Sequence, residues 1–119
     1  MTSSGTAGNG YSTGAGGAVV QATNKSTAVT LNKICGRVTM ANTSLAAAAS
    51  VSFTLTNSTI AATDVVLVNI ASAGTTNAYV ITVDAVAAGS CRIHLRNLSA
   101  AALGEALVLN FAVTKAVIA

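Results

Sequence analysis

The feature of this sequence that most constrains its fold is a succession of short runs rich in Val, Thr, Ile and Leu, separated by clusters of Gly, Asn, Ser and Ala. Such runs and clusters are typical of β-strands and the turns that join them. Eight strands are predicted, approximately over residues 18–23, 28–32, 36–40, 50–57, 64–70, 78–87, 90–97 and 105–117. This many strands in 119 residues favours one β-rich domain.

Several of these runs alternate between apolar and polar residues, which places one set of side chains in the core and the other on an outer face. The predicted core set is Val51, Phe53, Leu55, Tyr79, Ile81, Val83, Cys91, Ile93, Leu95, Leu107, Leu109, Phe111 and Val113. The run 65–68 is apolar on both faces, which predicts either a central strand or a strand whose outer side a partner covers.

The fold class predicted from these patterns is all-β. We expect a single-domain antiparallel β-sandwich of about eight short strands, of either the jelly-roll or the immunoglobulin-like type. Residues 44–49 and 99–103 contain Ala and Leu but are too short for a stable amphipathic helix, so both are predicted to be loops.

The first 17 residues differ in composition from the rest. They contain six Gly and several Ser and Thr but almost no large apolar side chain, so they cannot offset the entropy cost of becoming ordered. We therefore predict a flexible Gly-rich N-terminal arm over residues 1–17 and the β-sandwich domain over residues 18–119. Tyr11 is the one side chain suited to anchor this arm on a partner surface.

Charged residues are scarce. They make up 8% of the chain, against about 25% in an average soluble domain, while 52% of the residues are hydrophobic. A surface with so few ions is poorly protected against association, so we expect an oligomer with much of its surface covered. No run of about 20 apolar residues is present, so membrane insertion is not expected. The first ten residues also have no secretory signal, which predicts synthesis in a cytoplasm.

The two cysteines do not form a metal-binding pattern. Cys35 and Cys91 are far apart in sequence and the chain has one His, so neither a structural zinc site nor a cofactor is predicted. A reducing cytoplasm favours free, buried thiols, and a disulfide between Cys35 and Cys91 is the alternative. The chain also contains four N-x-[ST] triplets, at Asn24, Asn42, Asn57 and Asn97. In a secreted eukaryotic protein such triplets suggest N-glycosylation, but no secretory signal is present here, so they are interpreted as chance matches to that motif.

Catalytic groups are few. General acid–base catalysis needs a titratable pair in a cleft. The chain offers only Asp64, Asp84, Glu105 and His94. No Ser lies in a G-x-S-x-G motif, and the Gly cluster at 14–17 precedes a predicted strand rather than a helix. We therefore expect that this chain is not an enzyme.

The strongest local signal lies on the predicted strand 90–97. Arg92, His94 and Arg96 alternate with core residues there, so they project from the opposite face. Such a stripe suits a carboxylate-bearing partner or a phosphate backbone, and the alternative is a solvated outer face. Direct nucleic-acid binding is not expected, because stacking aromatic residues are missing. These three residues and Tyr11 are the candidate partner contacts.

Three stretches carry a resemblance to a known family, namely GYSTGAGGAVVQATNKSTAVTLNKICG, SVSFTLTNSTIAATDVVLVNIA and RIHLRNLSAAALGEALVLNFAVTKAV. Over residues 10–117 the chain resembles short virion proteins of tailed bacteriophages and prophages, a family associated with capsid decoration or cement proteins and with fibres. The resemblance implies a structural virion protein that forms a homotrimer and contacts the major capsid protein or another virion protein. The alternative it implies is a trimeric tail-fibre, spike or head-fibre module for host attachment. It supplies no catalytic or ligand motif.

Overall fold

A computed structural model describes residues 2–4 and 8–118 of the chain. These residues contain strands but no helix. The strands are β1 (Thr2–Ser4), β2 (Gly8–Gly10), β3 (Gly16–Val20), β4 (Val29–Thr30), β5 (Cys35–Thr39), β6 (Ser44–Leu45), β7 (Ser50–Thr56), β8 (Val65–Ser72), β9 (Tyr79–Ala87), β10 (Ser90–Asn97), β11 (Leu103–Gly104) and β12 (Val108–Thr114). The predicted all-β class is confirmed, and all eight predicted strands are present.

Two four-stranded sheets make up most of the domain. One has the strand order β3-β5-β12-β8 and the other β4-β7-β10-β9. We call them the β12 sheet and the β10 sheet after one central strand of each. The short strands pair separately, β1 with β2 and β6 with β11. The β6–β11 pair joins the two stretches 44–49 and 99–103, which were predicted to be loops.

The pairing within the two sheets is mixed, which corrects the prediction of a wholly antiparallel fold. β3 pairs with β5 in parallel, and β4 pairs with β7 in parallel. The reason is the path of the chain, because β3, β4, β5 and β7 lie alternately in the β12 and β10 sheets. Parallel neighbours need a crossover of about a dozen residues or more, and residues 21–34 provide it between β3 and β5.

One hydrophobic cluster is shared by the two sheets. Phe53 and Ile93 enter it from the β10 sheet, and Leu109 and Val113 enter it from the β12 sheet. Tyr79 and the other half-buried members of the predicted core set pack against the cluster. The core predicted from period-2 alternation is therefore confirmed. Burying each large apolar side chain contributes about 1.5–3 kcal/mol, so this cluster is the main stabilising element.

Strand β8 lies at an edge of the β12 sheet. Val66 is buried, whereas Val65 and Leu67 on the other face are 49% and 57% exposed. The prediction that an apolar run on both faces marks a central strand is therefore wrong. The other alternative, that a partner covers the outer side of β8, stays a prediction.

The start of the β12 sheet lies close to the predicted boundary between arm and domain. β3 begins at Gly16 rather than at residue 18, and Gly17 pairs with Gly36 of β5. A Cβ at Gly36 would lie 2.4 Å from the Gly17 carbonyl oxygen, so this close approach requires glycine. Residues 1 and 5–7 of the predicted arm lie outside the described residues, and the flexibility of the arm stays a prediction.

Both cysteine thiols are free, as expected from the sequence. Cys91 is fully buried in the β10 sheet, where burial raises the pKa of its thiol to about 11. Cys35 is only half-buried in β5 of the other sheet. Cys91 therefore acts as a small core residue, whereas Cys35 lies outside the hydrophobic cluster, so the prediction of buried thiols is correct for Cys91 and wrong for Cys35.

Candidate interaction surfaces

The outer face of the β10 sheet carries the three cationic residues singled out by the sequence. Arg92 and Arg96 are exposed and His94 is half-exposed, whereas Cys91, Ile93 and Leu95 between them are buried. The predicted alternation along this strand is therefore correct. We call Arg92, His94 and Arg96 the cationic stripe.

His94 forms a hydrogen bond with a carboxylate that the sequence did not predict. Its Nε2 donates to Oδ1 of Asp84 on the neighbouring strand β9 over 2.7 Å. The pair is open to solvent, with the His94 and Asp84 side chains 35% and 66% exposed. The strand register explains the contact, because Asp84 lies opposite Arg92 and is therefore a diagonal neighbour of His94. One carboxylate thus lies within the cationic stripe.

Hydroxyl groups flank the stripe. On β7, Ser52 lies opposite His94, and its Oγ accepts a hydrogen bond of 2.8 Å from Nη2 of Arg92. On β9, Thr82 lies opposite His94 from the other side. Ser50, Thr82, His94 and Arg96 contribute to the lining of a shallow depression of about 270 Å³. The face therefore combines two guanidinium groups with short polar side chains.

The chain has only three acidic side chains, and all three are engaged. Asp84 pairs with His94, and Asp64 accepts a hydrogen bond of 2.6 Å from Lys115. Glu105 accepts hydrogen bonds from the Tyr79 hydroxyl at 2.7 Å and from Thr75. Within residues 2–4 and 8–118 the close contacts between a basic side chain and a carboxylate are therefore His94–Asp84 and Lys115–Asp64, and neither Arg92 nor Arg96 forms a salt bridge.

These contacts change the acidity of two carboxyl groups. The hydrogen bond from Tyr79 is the main cause that lowers the pKa of Glu105, and the hydrogen bond from Lys115 is the main cause for Asp64. Burial, with the hydrogen bond to Glu105 as a second cause, raises the pKa of Tyr79. Because each carboxylate is stabilised in its charged form, these groups act as acceptors that hold loops in place.

A buried lysine is the most unusual polar group of the domain. Lys25 is 3% exposed, and its ammonium group donates to the carbonyl oxygens of Ala41 at 2.5 Å and Glu105 at 2.6 Å. Gln21 completes this contact, because its amide donates to the Lys25 carbonyl and its Oε1 accepts from the Ala41 N–H. Desolvation lowers the pKa of Lys25. These bonds fasten the crossover 21–34 to two other loops.

The outer face of the β12 sheet is a second candidate surface. Val65 and Leu67 of β8 are exposed there, and so is Val20 at the far edge on β3. Arg37 is tied down by a hydrogen bond of 2.9 Å from its Nε to Oδ1 of Asn110. A depression of about 320 Å³ lies between β8 and β12, with Leu67 in its lining. This face is therefore more apolar than the outer face of the β10 sheet.

Tyr11 does not lie with the cationic stripe. It is half-buried, and its hydroxyl donates a hydrogen bond of 2.5 Å to the carbonyl oxygen of Val113 in the β12 sheet. Tyr11 thus ties the segment before β3 to a central strand of its own chain. Its role as a partner contact stays a prediction, as does that of the stripe.

The described ranges hold no group of three His, Cys, Asp or Glu side chains arranged to bind a metal ion. Nor does any helix in them have the length and apolar character needed to cross a membrane. No protein-family model, curated protein or solved structure matches this chain.

Proposed function

We propose that this chain is a structural virion protein of a tailed bacteriophage, most simply a capsid decoration or cement protein that stabilises the head. The proposal rests on the family resemblance over residues 10–117 and on one observation. The outer face of the β12 sheet is apolar and nearly uncharged, and it exposes Val65 and Leu67 on an edge strand. Exposed apolar surface of this kind is typical of protein–protein contact.

The same face supports self-association into the homotrimer that the resemblance implies. Among the outward residues of β3, β5, β12 and β8, Arg37 alone carries a charge, and it is hydrogen-bonded to Asn110. Burying this face therefore removes apolar area from water and desolvates a single charged group, the Arg37 guanidinium, which keeps its hydrogen bond to Asn110. Interface cores are depleted in charged residues in the same way.

We also propose that the two main sheets form a β-sandwich. Their inward side chains share one cluster, which is the relationship expected of two sheets packed face to face. The jelly-roll and immunoglobulin types both consist of antiparallel sheets. The parallel pairs β3–β5 and β4–β7 therefore favour neither type.

A non-enzymatic role is part of the proposal. A general acid that works near neutral pH needs a raised carboxyl pKa, whereas those of Asp64 and Glu105 are lowered. His94 is held by Asp84, and the hydroxyl of the neighbouring Ser52 accepts from Arg92. These groups are arranged as structural hydrogen bonds or as surface charges.

A fibre or spike module for host attachment is the second candidate. The observation that favours it is the antiparallel β1–β2 pair, which among the described residues pairs with neither main sheet. An N-terminal element of this kind suits attachment to a longer stalk. Under this alternative the two-sheet domain is again trimeric but lies at the tail or on a head fibre.

Capsid binding separates the two candidates. Purified protein is mixed with undecorated heads and bound copies are counted after sedimentation. We expect saturable binding, and we expect deletion of residues 1–10 to weaken it while leaving the melting temperature nearly unchanged. Absence of binding to heads, together with binding to host cells or to tails, would favour the fibre candidate.

A further inference from the structure

The two arginines of the cationic stripe are exposed, and neither forms a salt bridge with a carboxylate in the described chain, although Asp84 lies opposite Arg92. Arg92 and Arg96 lie on one face of β10, and all three side-chain carboxylates of the chain are engaged by other groups. Arg92 keeps one neutral contact, with the Ser52 hydroxyl. Their guanidinium groups therefore have free donors that match the geometry of a carboxylate.

The spacing of the two arginines defines the shape of a matching ligand. Four residues along a strand span about 13 Å. In an extended peptide, carboxylates four residues apart have the same separation and point to the same side. A depression whose lining includes Asp84, His94 and Arg96 lies at the Arg96 end of this line. An extended segment that runs along β10 thus places two acidic side chains over Arg92 and Arg96 and a small polar residue between them.

The charges on this face favour a protein segment over a nucleic acid. Asp84 is exposed within the stripe, so a continuous phosphate backbone would meet a carboxylate there. Stacking on aromatic rings, which single-stranded nucleic acids use, is not offered either, because Tyr79 of β9 packs against the core. A segment with separated carboxylates brings only one of them near Asp84, which lies opposite Arg92 and is held by His94, and it needs no aromatic ring to stack on.

From these observations we infer that the outer face of the β10 sheet binds an extended acidic segment of a partner protein, with carboxylates four residues apart on Arg92 and Arg96. The inference rests on the proposed function only for the place of that partner in the virion. The chemistry of recognition is tested separately, with purified protein and peptides.

The probe is a fluorescent synthetic peptide in which Glu recurs at every fourth position among Ser and Thr, measured by fluorescence anisotropy at low salt. A peptide with Gln in place of each Glu is its control. We expect the Glu peptide to bind, and to bind R92S/R96S about tenfold more weakly, which is about 1.4 kcal/mol. The matched variant is Lys33→Ser, which removes an exposed cation from the loop before β5 and should leave the affinity unchanged. Added salt should weaken binding to the wild type.

Three results overturn the inference. One is an affinity for the Glu peptide no higher than for the Gln peptide. Another is equal affinity of the wild type and R92S/R96S. The third is that a single-stranded DNA of equal length binds more tightly than the Glu peptide and that this binding depends on Arg92 and Arg96. That result would assign the face to phosphate binding. If R92S/R96S does not fold, the test uses NMR chemical-shift changes of the wild-type amides on addition of the Glu peptide. The inference requires these changes to concentrate on β7, β9 and β10. None of these results depends on where the protein lies in a virion.

Discussion

Asn57 and Asn97 occupy equivalent positions at opposite ends of the β7–β10 strand pair. The backbone N–H of Asn57 donates to the carbonyl of Gly89, and that of Asn97 donates to the carbonyl of Ala49, both at 2.9 Å. Both side chains are fully buried, and each Oδ1 accepts from the backbone N–H and the hydroxyl of the residue two positions later. These Asx turns close both ends of the central pair of the β10 sheet.

The first prediction concerns Asn97. Its Nδ2 donates to the carbonyls of Leu45, Ala46 and Ala101 at 3.0, 3.3 and 2.9 Å. We expect Asn97→Ala to lower the free energy of unfolding by about 3 kcal/mol, because each buried polar group left without a partner costs about 1–3 kcal/mol. Denaturant unfolding measures this.

The control for Asn97→Ala is Asn42→Ala, an exposed asparagine in the same N-x-[ST] pattern. The free energy of unfolding of this variant should differ from that of the wild type by no more than about 0.5 kcal/mol. Equal losses in the two variants would contradict a structural role for the Asx turn.

The second prediction concerns acid stability and Asp64, whose side chain is 2% exposed. Hydrogen bonds from Lys115 and from the Ala61 N–H lower its pKa. Because the folded pKa lies below the unfolded one, the stabilisation is complete above about pH 4 and is lost as the pH falls through the folded pKa. Asp64→Asn should therefore lower the melting temperature at neutral pH, and the difference from the wild type should shrink in acid.

Thermal unfolding followed by circular dichroism from neutral pH to about pH 2 tests this. Asp84→Asn is the matched variant at neutral pH. It breaks a solvent-exposed pair, which contributes little, so its melting temperature should fall less. A difference between the wild type and Asp64→Asn that stays constant down to the lowest pH would show that ionisation of Asp64 does not stabilise the fold.

The third prediction concerns the two thiols. Burial holds Cys91 in its neutral form, whereas Cys35 is partly open to solvent. Since the thiolate is the reactive species, iodoacetamide should modify Cys35 in the native protein and reach Cys91 only after unfolding. Mass spectrometry of the two peptides over time gives both rates, and Cys35→Ser confirms the assignment. Equal native rates would mean that Cys91 is not in the core.

The fourth prediction concerns self-association through the β12 sheet. Light scattering after size exclusion should give a mass near three times 11.6 kDa. Replacing Val65 and Leu67 by Ser should shift the protein towards the monomer, because it removes the exposed apolar side chains of β8. The control is Leu98→Ser, which changes a residue of similar exposure outside that face and should not shift the protein towards the monomer. A wild-type monomer at micromolar concentration would refute an obligate trimer in solution.

The sequence predicted the strands and their faces well, because period-2 alternation directly reflects which side of a sheet is buried. The orientation of Arg92, His94 and Arg96 follows from the same rule. Strand direction and order were not predictable in this way. The parallel β3–β5 pair and the edge position of β8 depend on how the chain crosses between sheets, which no local pattern records.

Two polar features were missed for different reasons. The N-x-[ST] triplets have a structural role that the sequence interpretation did not include, because Asn24, Asn57 and Asn97 each form the same Asx turn. A hydroxyl residue two positions after Asn at a strand end was the available signal. By contrast, nothing local marks Lys25 as buried, because its acceptors come from distant loops.

We propose that this chain is a structural protein on the outside of a phage head, and a cryo-EM map of the virion whose genome encodes it tests this proposal. We expect density for the two-sheet domain on the outer capsid surface around local three-fold axes, with the outer faces of the β12 sheets between neighbouring copies. A map that lacks this density on the head, or that places the domain in the tail, would refute the proposed function.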